Sequence, residues 1–152
     1  MLTSTGVKIR KATKDDLRAI KTIEDNSFNW FERFPESLFL YYIRKLKDGF
    51  FVELEPSGAI VGYAILVKTK QYAYIFSIAI LPKNRNQGYA ELLLKFLAVG
   101  CTEKHIPKIR LDVRVDNNTA IELYKKLGYN EIKKKKKYYG NGLDALMMEK
   151  ML

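Results

Sequence analysis

The sequence is poor in the residues that build disulfides and histidine-based sites. Its 152 residues include one cysteine, Cys101, and one histidine, His105. A single thiol cannot form an intramolecular disulfide, and one cysteine with one histidine cannot form a Cys/His metal cage. A catalytic triad that needs histidine would have to use His105. We therefore predict no disulfide and no bound metal.

Long apolar runs are also missing. The longest, at 78–81 and 92–94, are far shorter than the roughly 18 residues that a membrane-spanning helix needs. The first residues do not show a basic segment followed by an apolar one, which a secretory leader would require. We therefore expect a cytoplasmic protein without a membrane partner.

The composition is that of a globular protein with an excess of positive charge. Hydrophobic residues make up 47% of the chain and charged residues 29%, and this length suits a single domain over 1–152. Lysine and arginine number 27 against 17 acidic residues, which gives a net charge of +10. The excess is concentrated between 104 and 137. Such a charge favours an anionic partner, which can be nucleic acid, an acidic protein or a phosphorylated cofactor.

Apolar periodicity and turn residues predict seven strands and four helices. The predicted strands are 7–12, 50–54, 60–68, 72–80, 108–115, 129–137 and 143–150, and the predicted helices are 14–26, 35–47, 88–104 and 118–127. Thr13 suits a helix N-cap, and Pro35 suits the first turn of a helix. The order of elements indicates an α/β protein with a mixed sheet covered by helices.

The sharpest local motif is Arg85-Asn86-Gln87-Gly88-Tyr89-Ala90, between a predicted strand and an apolar helix. Small residues at 88 and 90 would let a phosphate approach the backbone, and the start of the helix would supply N–H groups and a positive dipole end. The segment lacks the Lys-Ser/Thr ending of a P-loop and the spacing of a dinucleotide fingerprint. A loop glycine before a core helix explains the motif equally well.

A second pattern lies on the strand predicted at 108–115. Strict alternation places its aliphatic residues on one face and Arg110, Asp112 and Arg114 on the other. Asp112 is thus flanked by two arginines on its own face. This is consistent with a functional carboxylate and also with a solvated ladder of ion pairs.

The helix predicted at 118–127 carries Tyr124 on its apolar face, since Tyr124 follows Ala120 by four residues and precedes Leu127 by three. A core tyrosine is the ordinary interpretation of such a position. Asn117 or Asn118 suits the N-cap of this helix.

Together these segments resemble the GNAT superfamily of N-acetyltransferases. Arg85, Gly88 and Ala90 match its Arg/Gln-x-x-Gly-x-Gly/Ala coenzyme A motif. The family's following segment is matched by Asn117, Ala120, Tyr124, Gly128 and Tyr129. The similarity covers nearly the whole chain and is closest to ribosomal-protein alanine N-acetyltransferases and to archaeal and eukaryotic N-terminal acetyltransferase catalytic subunits.

The resemblance implies a fold and a cofactor. The GNAT fold has a central mixed, mostly antiparallel sheet of about seven strands with about four helices. The donor would be acetyl-CoA, with backbone groups of 78–80 along the acetyl and pantetheine arm and 85–91 around the pyrophosphate. The implied cofactor-binding residues are Ile78, Ala79, Ile80, Arg85, Asn86, Gln87, Gly88, Tyr89, Ala90, Glu91, Asn117 and Tyr124.

The resemblance also implies a catalytic pair. Tyr124 would protonate the departing thiolate of coenzyme A. In the ribosomal-protein type a glutamate base lies twelve residues before this tyrosine, a position that Asp112 holds here. Aspartate is one methylene shorter, so it would act through a bridging water or a closer backbone. Cys101 has no adjacent base, so we predict direct transfer through a ternary complex.

A protein N-terminus is the favoured acceptor. Its amine has a pKa near 8, so about a tenth of it is neutral at pH 7, whereas lysine near 10.4 leaves only about a few molecules in ten thousand neutral. A weak base therefore suits an α-amine best. The resemblance implies that two segments flank the peptide, and their predicted contacts are Phe28, Trp30, Tyr138 and Tyr139.

Two alternatives remain open from the sequence. The same fold could acetylate lysine or a small amine. In another class of function, the lysines at 133–137 could dock the protein on a ribosome or nucleic acid, with catalysis lost or secondary. These lysines could equally protect a sheet edge from aggregation. We expect a monomer or a homodimer.

Overall fold

The structure is a computed structural model, and it describes residues 6–29, 32–136 and 142–152. The chain divides into two compact units. The first comprises Met1–Val67 and Phe76–Phe96, and the second comprises Lys68–Ile75 and Leu97–Leu152. A single domain over 1–152 stays a prediction.

The described residues form seven strands and four α-helices, as predicted. The strands are β1 (Lys8–Lys11), β2 (Phe50–Leu54), β3 (Ile60–Lys68), β4 (Ala73–Ile80), β5 (Lys108–Arg114), β6 (Asn130–Lys135) and β7 (Ala145–Met151). The helices are α1 (Leu17–Ser27), α2 (Glu36–Lys45), α3 (Tyr89–Glu103) and α4 (Asn118–Lys126), with short 3₁₀ turns at Lys14–Asp16 and Pro82–Asn84. Among these helices, none combines the length and the apolar character that crossing a membrane would require.

The strands are hydrogen-bonded in the order β1-β2-β3-β4-β5-β7-β6. The pairs β1–β2, β2–β3, β5–β7 and β6–β7 are antiparallel, whereas β4 and β5 are parallel. The predicted mixed, mostly antiparallel sheet of the GNAT fold is confirmed. β6 ends the order, as expected for a strand whose lysines protect a sheet edge.

The core of the first unit forms where α1 and α2 bury apolar side chains against strands of the sheet. The Phe39 ring of α2 lies edge-on to Tyr63 of β3 at 5.6 Å and to Phe50 of β2 at 6.1 Å. Ile20 and Ile23 of α1 are fully buried in the same cluster. Their spacing of three residues places them on one helix face, which is why the apolar pattern predicted this helix correctly.

In the second unit, β5 alternates as predicted, with Ile109, Leu111 and Val113 buried. β7 pairs along its length, and Asp112 lies opposite Met147. β6 pairs on the other side of β7 with a register shift between Glu131 and Lys133. This irregularity moves Lys133 opposite Met147 and Lys135 opposite Ala145. Paired residues point to the same face, so Lys133 and Lys135 share the face of Asp112.

One buried carboxyl group in the first unit lacks hydrogen-bond partners within the described residues. Glu53 of β2 is fully buried, and neither of its carboxyl oxygens has a hydrogen-bond partner within the described part of the chain. Burial disfavours the charged form and raises the pKa of Glu53 to about 8. The side chain is therefore largely protonated at neutral pH.

We expect Glu53→Gln to change how stability depends on pH. The unfolded chain releases this proton near pH 4.5, whereas the folded state keeps it until about pH 8. The folded wild type therefore loses stability as pH rises between these values, by on the order of 2–4 kcal/mol, and glutamine does not. Urea unfolding measured from pH 5 to 8 should show that the free energy of unfolding of the variant increases relative to that of the wild type. Stability curves that run parallel across this range would contradict the prediction.

Candidate active site

The loop that follows β4 leads directly into helix α3. Asn86 and Gly88 both adopt left-handed conformations, with φ of 61° and 91°. Helix α3 begins directly after them at Tyr89 and runs for 15 residues. Its first-turn amide groups have no carbonyl partner earlier in the helix, and its dipole is positive at this end. The predicted loop glycine is thus confirmed as a residue that the turn requires.

Side chains around this loop have distinct roles. The Nε of Arg85 donates a hydrogen bond to the carbonyl oxygen of Ile80 at 3.0 Å, which ties the loop to the end of β4. Tyr89 is buried, so its ring faces the interior of the protein. Glu91 pairs with Lys95 along α3 at 3.1 Å. Of the strand residues predicted to face the cofactor, Ala79 and Ile80 are buried and Ile78 is partly exposed.

These features fit coenzyme A. A pyrophosphate needs backbone N–H groups and positive charge, and the left-handed turn, the start of α3 and the exposed Arg85 provide them in the first unit. Asn86, Gln87 and Gly88 are all exposed and accessible to such a group. Tyr89 could offer only its backbone to such a group, since its side chain is buried.

Asp112 lies in the second unit, and its side chain is only 5% exposed. Its Oδ2 accepts hydrogen bonds from the hydroxyl of Tyr74 on β4 and from Nζ of Lys135 on β6, the latter at 3.0 Å. Its Oδ1 is buried without a hydrogen-bond partner among the described residues. One oxygen is thus held in place while the other remains an acceptor.

The predicted ladder of Asp112 with its neighbouring arginines is corrected by these contacts. Arg110 donates to Glu149 of β7 at 2.6 Å, and its guanidinium lies 4.5 Å from the ring centre of Tyr72. Arg114 donates to Asp116 at 3.0 Å and 2.8 Å. The alternation assigned the face correctly, but cross-strand and turn carboxylates offer these arginines better geometry than a neighbour two residues along the same strand.

Tyr124 is buried on α4, as the helical spacing predicts. Its ring lies edge-on to Tyr129 at 5.7 Å. Burial raises the pKa of Tyr124 to about 12, so the hydroxyl keeps its proton at neutral pH and is available as a proton donor. Asn117 caps the same helix, because its Oδ1 accepts from the amide of Ala120 at 3.2 Å.

The residues predicted to contact a peptide are only partly described. Phe28 follows α1 and packs against the core of the first unit. The predicted contacts Trp30, Tyr138 and Tyr139 lie outside the described residues, as does Lys137 of the lysine run. The remaining predicted positions fall in two groups, with 78–80 and 85–91 in the first unit and Asp112, Asn117 and Tyr124 in the second.

Tyr74 and Lys135 were missed by the sequence analysis. Tyr74 sits in an apolar strand, where a tyrosine is an ordinary core residue, and Lys135 sits in a run of identical side chains. The position of Asp112 could have indicated that such partners exist. A carboxylate on a half-buried strand needs hydrogen-bond donors, and the neighbouring strands are where they would lie. Which donors these are depends on register, which the sequence does not specify.

The comparisons with known proteins agree with this fold. The profile of the Acetyltransferase (GNAT) family matches residues 16–129. The chain belongs to this family of acetyltransferases, so the predicted family and the predicted class of enzyme are confirmed. Acetyl-CoA is the acetyl donor of this family, as predicted.

Individual relatives match along almost the whole chain. The chain is 32% identical to an N-alpha-acetyltransferase of Sulfurisphaera tokodaii, over 93% of this chain and 90% of the relative. It is 31% identical to a putative ribosomal protein bS18-alanine N-acetyltransferase of Bacillus subtilis, over 95% of each. The crystal structure of Ard1 from Thermoplasma volcanium superposes with a TM-score of 0.86 at 27% identity, over 97% of this chain and 99% of that one.

Proposed function

We propose that the protein is an acetyl-CoA-dependent N-terminal acetyltransferase, which transfers acetyl directly to the α-amine of a protein in a ternary complex. The observation that carries this proposal is the state of Asp112. Tyr74 and Lys135 hold one oxygen of the carboxylate, and the other has no hydrogen-bond partner within the described residues. Such a group can accept a proton, and the relatives named for α-amino acetylation support this acceptor.

The acceptor amine follows from the strength of this base. An α-amine near pKa 8 needs little help at neutral pH, whereas a lysine near 10.4 must lose a tightly held proton, a difference of about 2.4 pKa units. Aspartate is the weakest of the ordinary protein bases. An α-amine is therefore the acceptor that Asp112 suffices to deprotonate. Acetylation of lysine or of a small amine by an enzyme of the same fold stays an alternative.

The roles of the other residues follow from their positions. The turn at 86–88 and the start of α3 would hold the pyrophosphate, with Arg85 adding charge. Bound acetyl-CoA supplies the activated acetyl group. Tyr124 keeps its proton at neutral pH and would give it to the departing thiolate, and Asn117 would contact the cofactor arm. The peptide would be flanked by Phe28 and Trp30 on one side and by Tyr138 and Tyr139 on the other.

Docking on a ribosome or nucleic acid is a second candidate, through the lysines at 133–137. Lys133, Lys134 and Lys136 are exposed, which favours a solvated basic surface. Lys135 is excluded from that surface because it pairs with Asp112. The same exposure suits edge protection, so docking is proposed only as an addition to catalysis. A cytoplasmic location and a monomeric or homodimeric state also remain proposals.

A peptide panel tests the proposed activity. The protein is incubated with acetyl-CoA and peptides that differ in their first two residues, each also carrying an internal lysine. We expect acetyl groups on α-amines, located by fragmentation mass spectrometry. Acetylation confined to lysine would favour the alternative of the same fold. Binding of acetyl-CoA with no transfer to any peptide would refute the proposal.

Tyr124→Phe tests the proposed acid. Loss of the hydroxyl should lower kcat by about 100-fold, the usual contribution of a positioned proton donor, while the Kd for coenzyme A changes less than about twofold. Tyr129→Phe is a matched control, because Tyr129 is also buried and its hydroxyl has no partner within the described residues. Equal activity of Tyr124→Phe and wild type would remove Tyr124 as the acid.

Asp112→Asn tests the proposed base. We expect kcat/KM for the peptide to fall by about 100-fold, because asparagine cannot take up the proton that the amine releases. Asp116→Asn provides the control: it removes a carboxylate four residues away that is half exposed and bound to Arg114. If Asp112→Asn keeps the kcat/KM of the wild type, another group is the base.

A further inference from the structure

A chain of buried polar side chains runs through the first unit and belongs to none of the roles above. Glu24 of α1 is fully buried, although a glutamate normally lies at the surface. Its Oε1 accepts a hydrogen bond from the hydroxyl of Tyr63 on β3 at 2.5 Å. The Tyr63 oxygen lies 2.7 Å from Oγ of Ser77 on β4. The chain therefore links α1 to β4, directly before positions 78–80, which the resemblance assigns to the acetyl and pantetheine arm.

The direction of these hydrogen bonds is fixed by proton counting. Burial raises the pKa of Glu24, and the hydrogen bonds that it accepts from Tyr63 and from the Phe34 amide oppose that rise. With Glu24 in its carboxylate form, which can only accept, the single proton of the Tyr63 hydroxyl goes to Glu24. Burial raises the pKa of Tyr63 well above its usual value, so that proton stays in place. The Ser77 hydroxyl must therefore donate to Tyr63. Its oxygen is left as an acceptor, on a residue that is partly exposed and directly precedes Ile78.

Glu24 also holds the chain that follows α1. Its Oε2 accepts from the amide N–H of Phe34 at 2.8 Å, and Nζ of Lys21 donates to the carbonyl oxygen of Phe34 at 3.1 Å. The Phe34 ring stacks on Phe76 of β4 at 5.1 Å. Phe34 is thus fixed through both backbone groups and its ring. Phe76 directly precedes Ser77 along β4, so the segment is anchored to the residue next to Ser77 in the strand.

We propose that Ser77 binds the substrate by accepting a hydrogen bond from an N–H of the acceptor amine, and that Glu24 and Tyr63 are positioning residues that keep its hydroxyl in this orientation. This inference rests on the proposed function. It adds a substrate contact on β4 that is separate from the acid and the base.

Glu24→Gln offers a test that preserves shape. The Phe34 amide is a fixed donor, so the carbonyl oxygen of the glutamine must face it and the NH₂ group must face Tyr63. Tyr63 then donates to Ser77, so the hydroxyl proton of Ser77 turns toward the substrate. There it meets the N–H of the acceptor amine, which is also a donor, and the hydrogen bond cannot form. One substitution therefore reverses the whole chain without removing a side chain. The positively charged Lys21 and the carboxylate of Asp25, which flank Glu24, remain in place.

Steady-state kinetics with the best peptide of the panel measure the effect. We expect Ser77→Ala to raise the KM for the peptide about fivefold, which corresponds to one neutral hydrogen bond, and Glu24→Gln to raise it at least as much. The KM for acetyl-CoA should change less than about twofold in both. A merely structural defect would lower the active fraction, and hence kcat, without raising the KM for one substrate alone.

The double variant decides whether Glu24 acts through Ser77. If it does, Glu24→Gln with Ser77→Ala should be no worse than Glu24→Gln alone, whereas independent effects would multiply. Ser77→Ala removes one partly exposed oxygen and keeps the test valid if Glu24→Gln does not fold. Unchanged peptide KM in the single variants, or multiplied effects in the double, would overturn this inference alone. A wild type that acetylates no α-amine would contradict the proposed function and this inference together.

Discussion

A buried carboxylate must be surrounded by hydrogen-bond donors, and this requirement organises the polar interior of both units. In the first unit, Glu24 accepts hydrogen bonds from a tyrosine hydroxyl and a backbone amide. In the second, Asp112 accepts hydrogen bonds from a tyrosine hydroxyl and a lysine. Each arrangement joins a strand of the sheet to a different element. The side chains that connect secondary structures are therefore also those that carry the proposed chemistry.

Glu53 shows what happens when the requirement is not met. It has no donors within the described residues, and its raised pKa keeps it protonated at neutral pH. A neutral carboxyl is cheaper to bury than a charged one, so the fold tolerates it. The oxygens of Glu24 and Asp112 accept hydrogen bonds from other elements, whereas Glu53 is a protonated, nearly apolar side chain within the core.

The helices and strands were predictable because burial imposes a period on the sequence. The alternation at 109–113 indicates which face of the strand is buried, and the spacing of Ile20 and Ile23 indicates which face of the helix is buried. The GNAT family motif was also readable, since Gly88 occupies a backbone conformation that a side chain disfavours. The partners of Asp112 and the burial of Glu24 were not readable. Both depend on which strands lie side by side and in what register, and local patterns do not contain that information.

The register shift in β6 has a consequence for the robustness of the proposed site. Side chains on a strand alternate between faces, so a slip of one residue would ordinarily remove the partner of Asp112 and replace it with a residue of another kind. Here the neighbours of Lys135 are Lys134 and Lys136. A slip in either direction would present a lysine again. The repetition in the sequence thus makes the ion pair insensitive to errors in strand alignment, a form of redundancy that a single well-placed lysine would not provide.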